Sequence, residues 1–278
     1  MTAARLIELW RGGLRESSHL GHVVISDAEG VVEAWGNPGT VIFPRSSCKM
    51  IQALPLVESG AADAAGLGPE QLALACASHN GGLIHVDRVS AWLSGMGFED
   101  EDLRCGVHMP RDPQEYRRLL CSDESPCQVH NNCSGKHAGF LTLKRHMKAG
   151  PEYTGIDHPV QRAVRRAFEE VTGETAAGWG IDGCSAPNFA CTVEGLSRAM
   201  VGFARPGAGA RGQAQRRLVE AMLAHPDLVA GEGRACTDLM RAMQGRAVVK
   251  TGAEAVFVAI VPERGLGVAL KVCDGGTR

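Results

Sequence analysis

Apolar residues follow two rhythms along this chain, and the change between them separates its ends from its middle. At the ends they form short β-branched and aromatic runs. Residues 23–26 and 31–35 flank Asp27-Ala28-Glu29-Gly30, and residues 248–251, 254–261 and 267–272 carry a turn at Pro262-Glu263-Arg264-Gly265. Runs of this length bounded by turn-forming residues predict antiparallel strands and hairpins. After the Asn37-Pro38-Gly39 turn, residues 41–43 predict a short third strand or an extended lead-in. In the middle the spacing turns helical. It predicts helices over 47–59 (bent by Pro55, closed by Gly60), 69–76, 83–93 and 113–120. Further helices are expected from the end of a polar stretch at 121–133 to about residue 147, and over 159–171, 196–204, 213–224 and 237–243. The glycine-rich stretch 178–188 reads as loop. A lone hairpin is marginal in water, so the simplest arrangement joins both ends in one antiparallel sheet. The expectation is an α+β fold, a single domain over 1–278, with the sheet from about 20–43 and 247–273 and a helical region over about 46–245.

Composition narrows the classes. Hydrophobic residues make up 44% and charged residues 22% of the 278, ordinary globular values. A formal net charge of −2, with no Lys/Arg block, argues against a nucleic-acid binder. No apolar run approaches the roughly 20 residues that span a bilayer. Residues 1–16 mix Arg5, Glu8, Arg11, Arg15 and Glu16 with leucines, unlike a signal peptide, so the expected location is the cytoplasm. The ten cysteines are scattered, with no C-x-x-C pair, and read as reduced thiols.

Candidate chemistry begins at Pro44-Arg45-Ser46-Ser47-Cys48-Lys49. If a helix starts there, three residues are nearly one turn, and the Ser46 hydroxyl and Lys49 amine project from one face. A desolvated lysine can take a serine's proton, and a neighbouring cation such as Lys250 keeps it partly neutral. Arg45 beside them suits a carboxylate-bearing substrate, because its planar fork matches one bidentately. The bland alternative is a helix-capping serine with a solvated lysine one turn on. Ser78-His79-Asn80 reads either as a helix C-cap or as side chains that bind substrate. Together with Lys250-Thr251-Gly252, the chain carries S-x-x-K, S-x-N and K-T-G in that order, the set of serine β-lactamases and penicillin-binding proteins.

A second constellation is Cys133-x-x-x-His137, with ligand spacing on a helix, and Cys184, which could complete a zinc site. The alternative is a pair of buried filler thiols. Lysine is a rare metal ligand because it must lose its proton, so spacing does not nominate Lys136. Gly207-Ala208-Gly209-Ala210-Arg211-Gly212 fits a dinucleotide fingerprint but follows a helix and Arg205-Pro206 rather than a strand, so it reads as a loop.

Four segments carry a wider resemblance: 44–49, Ala77-Ser78-His79-Asn80, His130-Asn131-Asn132-Cys133-Ser134-Gly135-Lys136-His137-Ala138-Gly139-Phe140, and Gly180-Ile181-Asp182-Gly183-Cys184-Ser185-Ala186-Pro187. Together the chain resembles the asparaginases of the Rhizobium etli thermolabile type, from about residue 20 to 275. The resemblance implies a serine β-lactamase/glutaminase-like fold and hydrolysis of L-asparagine to L-aspartate and ammonia through a serine acyl-enzyme. It implies two Ser–Lys tandems, Ser46 with Lys49 and Ser78 with Lys250; Ser46 with Lys49 as its base is the favoured attacking pair, and the sequence leaves Ser78 with Lys250 as the alternative. It further implies Zn2+ on Cys133, Lys136 and Cys184, substrate contacts from Arg45, His79, Asn80, Asp182 and Cys236, and a homodimer. Members usually continue past Asp274-Gly275-Gly276 to a closing helix on the sheet, so those elements are expected to be missing here. The competing expectations are a β-lactam-recognising or peptide-processing serine hydrolase, a glutaminase, and a non-catalytic zinc-stabilised binding protein.

Overall fold

The β-branched runs predicted at the two ends of the chain do pair with each other. In the computed structural model, which describes residues 2–276, the order begins β1 (Ala4–Arg11), β2 (Leu14–Asp27), β3 (Gly30–Trp35) and β4 (Val41–Ile42). A 3-10 turn (Arg45–Cys48) leads into α1 (Lys49–Gln52), α2 (Leu54–Glu58), α3 (Ala61–Ala64), α4 (Pro69–Ala75), α5 (Leu83–Gly95) and α6 (Pro113–Leu120). Next come α7 (Ser134–His146), α8 (Pro159–Thr172), β5 (Trp179–Ile181), β6 (Pro187–Phe189), β7 (Cys191–Thr192), α9 (Val193–Ala204), α10 (Gly209–Ala224), α11 (Pro226–Val229) and α12 (Ala235–Ala242). Strands β8 (Val248–Gly252), β9 (Val256–Val261) and β10 (Leu266–Val272) complete the sheet. All its pairings are antiparallel, in the order β1-β2-β10-β9-β8, and β3 lies beside β1 along the same edge of β2. The junction of the two chain ends is β2 against β10, with Gly21 opposite Val272 and Ser26 opposite Gly267.

Alternation decides which face is covered. Val24, Val256, Val258, Ile260 and Ala269 are buried, and α9 lies across β2, β9 and β10 with Leu196, Ala199, Met200 and Phe203 buried against them. Each fully buried Val, Leu, Ile, Met or Phe among them contributes about 1.5–3 kcal/mol relative to leaving it in water. One polar contact crosses this interface: buried Ser197 Oγ donates to Gly267 O at 2.9 Å and lies 3.0 Å from Ser26 Oγ. The helical middle shares the same continuous core.

Five local expectations change. Residues 4–20 form a hairpin that runs the sheet well below residue 20; Ile7, Trp10 and Leu14 on it are exposed, so neither face shows the one-sided pattern that marks a strand. Residues 41–42 pair with β7, apart from the main sheet. The expected helix over 47–59 is divided between α1 and α2, because Pro55 has no N–H and fits only the first turn of a new helix. The stretch 178–188 is a hairpin of β5 and β6 around the 182–186 turn. The glycine-rich 207–212 stretch is the entry to α10, with no strand before it. Among the described residues, no helix is long and apolar enough to cross a membrane.

Candidate active site

The turn at Arg45–Cys48 is held in an unusual backbone shape. Arg45 has φ of 53°, a left-handed conformation costly for a non-glycine residue and typical of sites where surrounding contacts over-determine the chain. Asn188 supplies those contacts: Arg45 N–H donates to Asn188 Oδ1 at 3.1 Å, and Asn188 Nδ2 donates to Arg45 O at 3.3 Å. The Arg45 guanidinium donates to Asp182 Oδ1 from Nε at 2.9 Å and lies 2.8 Å from it at Nη2. Asp182 is anchored by Gly183 N–H at 2.8 Å. Arg45 and Asp182 therefore meet each other, as a pair that fills much of the Arg45 fork.

Ser46 is half-buried, and among the described residues its hydroxyl has no hydrogen-bond partner. Lys49, fully buried one turn later, points its ammonium elsewhere: to the carbonyl of Ala77, to Asn132 O at 3.4 Å and to Cys133 Sγ at 3.1 Å. The other tandem is assembled. Lys250 Nζ donates to Ser78 Oγ at 2.8 Å and to Thr251 O at 2.8 Å, although 172 positions separate the lysine from the serine. Lys250 lies in the centre of β8, buried, with Val248 and Val249 before it. Burial, reinforced by the charge of Lys49, brings its pKa down to about 7. Cys236 approaches from α12, its sulfur accepting from Thr251 N–H at 3.3 Å.

Gly252 closes the K-T-G segment by close approach. A Cβ there would lie 2.5 Å from Pro44 O and 3.1 Å from Ser47 N, so only glycine lets β8 touch the Arg45–Cys48 turn. Gly252→Ala is expected to separate these two elements. Turnover should fall about 100-fold, the effect of an ångström of misplacement. The melting temperature should fall by several degrees from about 1–3 kcal/mol of overpacking. Steady-state rates and thermal denaturation check both.

The Ser78-His79-Asn80 loop is wired internally. Gly81 N–H donates to His79 Nδ1 at 3.1 Å, so Nε2 carries the proton and donates to Ser134 Oγ at 3.0 Å; Ser134 Oγ donates onward to Val129 O at 2.8 Å. The ring stacks on His85 at 4.6 Å, and burial followed by the His85 charge pushes its pKa well below the usual histidine range. Both nitrogens of His79 are thus engaged in holding the loop rather than free for a substrate. Asn80 donates from Nδ2 to Glu232 O at 3.1 Å, and its Oδ1 accepts from Arg234 Nη1 at 2.8 Å.

The second constellation also converges. The Lys136 ammonium lies 2.9 Å from Cys184 Sγ. The Cys133 thiol donates to Asn132 Oδ1 at 3.1 Å. Cys133 nearby and the charge of Lys136 hold the Cys184 thiol well below its ordinary pKa, which favours the thiolate. His137 does not join as a third ligand. Its Nδ1 lies 2.8 Å from Tyr153 OH, which accepts from Arg104 N–H at 2.8 Å, and its Nε2 is buried without a hydrogen-bond partner. Among the described residues, no three His, Cys, Asp or Glu side chains come together as a metal site.

The sequence assigns no role to Asn188, Ser134 or Arg234, although Ser134 lies within the 130–140 segment. Asn188 stood in a polar stretch with nothing to distinguish it, and Ser134 and Arg234 act through contacts made only in three dimensions.

The buried lysine of β8 thus meets Ser78 on the loop after α4, and the same strand touches the Arg45–Cys48 turn that carries Ser46. The family description L-asparaginase II matches residues 7–278, and the chain belongs to the L-asparaginase II family. No curated protein matches it by sequence at a significant level. Solved structures it is similar to include a β-lactamase from Mycobacterium bovis, at 13% identity over 92% of this chain and 88% of the other, TM-score 0.47. A class C β-lactamase gives 13% identity over the same shares, TM-score 0.48. Mglu in its native form gives 10% identity over 92% of this chain and 60% of the other, TM-score 0.50. These are likenesses of architecture.

Proposed function

We propose that the protein is an L-asparaginase that hydrolyses L-asparagine to L-aspartate and ammonia, and that Ser78 with Lys250 performs the proton transfers. One observation carries this reading: the 2.8 Å bond from Lys250 to Ser78, with the lysine poised near neutral pH. Neutral Lys250 accepts the Ser78 proton as Oγ attacks the side-chain amide carbon. The C–N bond then breaks, and ammonia leaves with a proton returned by Lys250. A water molecule, deprotonated by the same amine, cleaves the β-aspartyl ester and frees Ser78. Lys49, fixed by Ala77 O and Asn132 O, keeps a charge beside Lys250 that holds its pKa down. Ser46, the nucleophile favoured by family resemblance, has no base within hydrogen-bond reach, so its hydroxyl is assigned a supporting contact.

The donor set of Cys133, Cys184 and Lys136 fits Zn2+: two soft sulfurs, with an amine, 2.9 Å from that of Cys184, that would give up its proton on binding. Zinc bound there would supply a fixed charge and a cross-link between α7 and the 182–186 turn. Asp182 and Arg45 would then border the substrate. A cytoplasmic homodimer completes the proposal; the exposed Ile7, Trp10, Val31 and Val32 along the β1–β3 edge are the apolar surface a second copy would cover.

The test is ammonia release from asparagine and glutamine, and ring opening of nitrocefin read by its colour change, in wild type, Ser78→Ala and Ser46→Ala. Ser78→Ala should lose at least about 1,000-fold and form no acyl-enzyme by mass spectrometry, while Ser46→Ala keeps acylation. Acylation surviving in Ser78→Ala, or nitrocefin turnover without asparagine turnover, counts against the assignment.

A further inference from the structure

Two arginines have no part in the scheme above. Arg111 and Arg234 line a cavity of about 520 Å³ together with Cys236, Thr251 and Gly252, against the strand that carries Lys250. Arg118 is matched with Glu115 and Glu124, Arg211 with Glu58 and Glu170, and Arg241 with Glu232, while others such as Arg145 and Arg205 are not but lie away from this cavity. Among the described residues, Arg111 and Arg234 have no such partner. The single side-chain hydrogen bond of Arg234 goes to Asn80 Oδ1, which leaves Nε and Nη2 of its fork open. Burial, with Arg111 nearby, weighs against its charged form. Two cations held together in a partly desolvated cavity repel unless an anion joins them.

Asn80 sets the position of both. Its side chain orients Arg234, and its carbonyl accepts from Arg111 N–H at 2.7 Å, two residues after Ser78. The cations are thereby tied to the loop that carries the attacking hydroxyl. Arg45, the expected carboxylate reader, already donates twice to Asp182.

We propose that Arg234, assisted by Arg111, anchors the substrate's α-carboxylate and so restricts the enzyme to free amino-acid amides. The inference rests on the asparaginase reading. A planar fork with two open donors matches a carboxylate bidentately, and the second arginine neutralises what remains of its charge.

The experiment compares ammonia release from L-asparagine and from L-asparagine methyl ester, whose α-carboxylate is blocked and whose side-chain amide is intact. Wild type should prefer the free acid by about 100-fold in kcat/KM. Arg234→Gln should raise KM for asparagine about 10- to 100-fold with kcat within a few-fold, and leave the ester unchanged, so that discrimination collapses. Arg234→Lys should recover part of it, and Arg111→Gln, at an exposed position, should give a smaller shift in the same direction. Equal use of acid and ester by wild type, which needs no variant, overturns the inference. So does a parallel fall for both substrates in Arg234→Gln, which would mark a purely structural role through Asn80. If wild type releases no ammonia from asparagine, the asparaginase reading falls first; if it does and the variants do not discriminate, this inference alone falls.

Discussion

Lys250→Met is expected to end turnover and to raise the melting temperature at the same time. The activity loss follows from removing the base that accepts the Ser78 proton, which is worth about 100- to 10,000-fold. The stability gain follows from burial. The amine's pKa is near 10.5 in the unfolded chain and about 7 in the folded one. The folded state therefore holds its proton less tightly, and folding at neutral pH carries a cost of the order of 4 kcal/mol, at about 1.4 kcal/mol per pH unit. The sign is fixed by proton counting: the unfolded chain binds more protons between pH 7 and 10.5, so stability rises with pH across that window. The full cost applies below pH 7. Methionine has similar reach and no charge, so the gain over wild type should be largest at and below pH 7 and vanish above about pH 10.5. Thermal melts at pH 6, 8 and 10 read it directly, and a melting temperature that falls at pH 6 would contradict the argument. The same lysine sets the wild-type rate profile: kcat/KM should climb with pH through an apparent pKa near 7, as the neutral base is populated.

Lys136→Met should act in the opposite sense. Lys136 is equally buried, but it faces the Cys184 thiolate, and burial is outweighed by that partner, which pushes its pKa above the ordinary lysine value. Removing one member of a buried pair leaves the other charge uncompensated and typically costs about 3–5 kcal/mol. The urea midpoint should drop accordingly. Cys184→Ala added to Lys136→Met should restore much of the loss, because it removes the orphaned charge; an additive double variant would show that the pair is not coupled. Zinc content of each variant, measured in parallel, should fall with either side chain.

The two lysines show what a sequence discloses and where it stops. Strands 31–35 and 248–251 were legible because β-branched runs ended at turn residues, and the joining of both ends followed from the instability of either hairpin alone. The Ser46–Lys49 spacing was legible, yet spacing fixes only where Cα atoms lie. Which way the Lys49 chain turns depends on Ala77, Asn132 and Cys133, distant in sequence and absent from any local pattern. A lysine after Val248 and Val249 in an apolar strand was the local sign of a desolvated amine. The β1 hairpin was missed because exposure on both faces leaves no period. Arg111 and Arg234 were missed because isolated arginines look alike until a fold shows which lack carboxylates.

The bonding of β2 to β10 also has a meaning for biosynthesis. A chain emerging amino-terminus first presents Ser46, Lys49 and Ser78 long before Lys250 exists, and β2 waits with its Gly21–Ser26 edge open until β10 arrives. Such distant pairing is slow to form and leaves an adhesive strand edge in the interim. An unfinished copy is therefore chemically silent and prone to clump, and the appearance of activity dates the moment at which the last strands have docked.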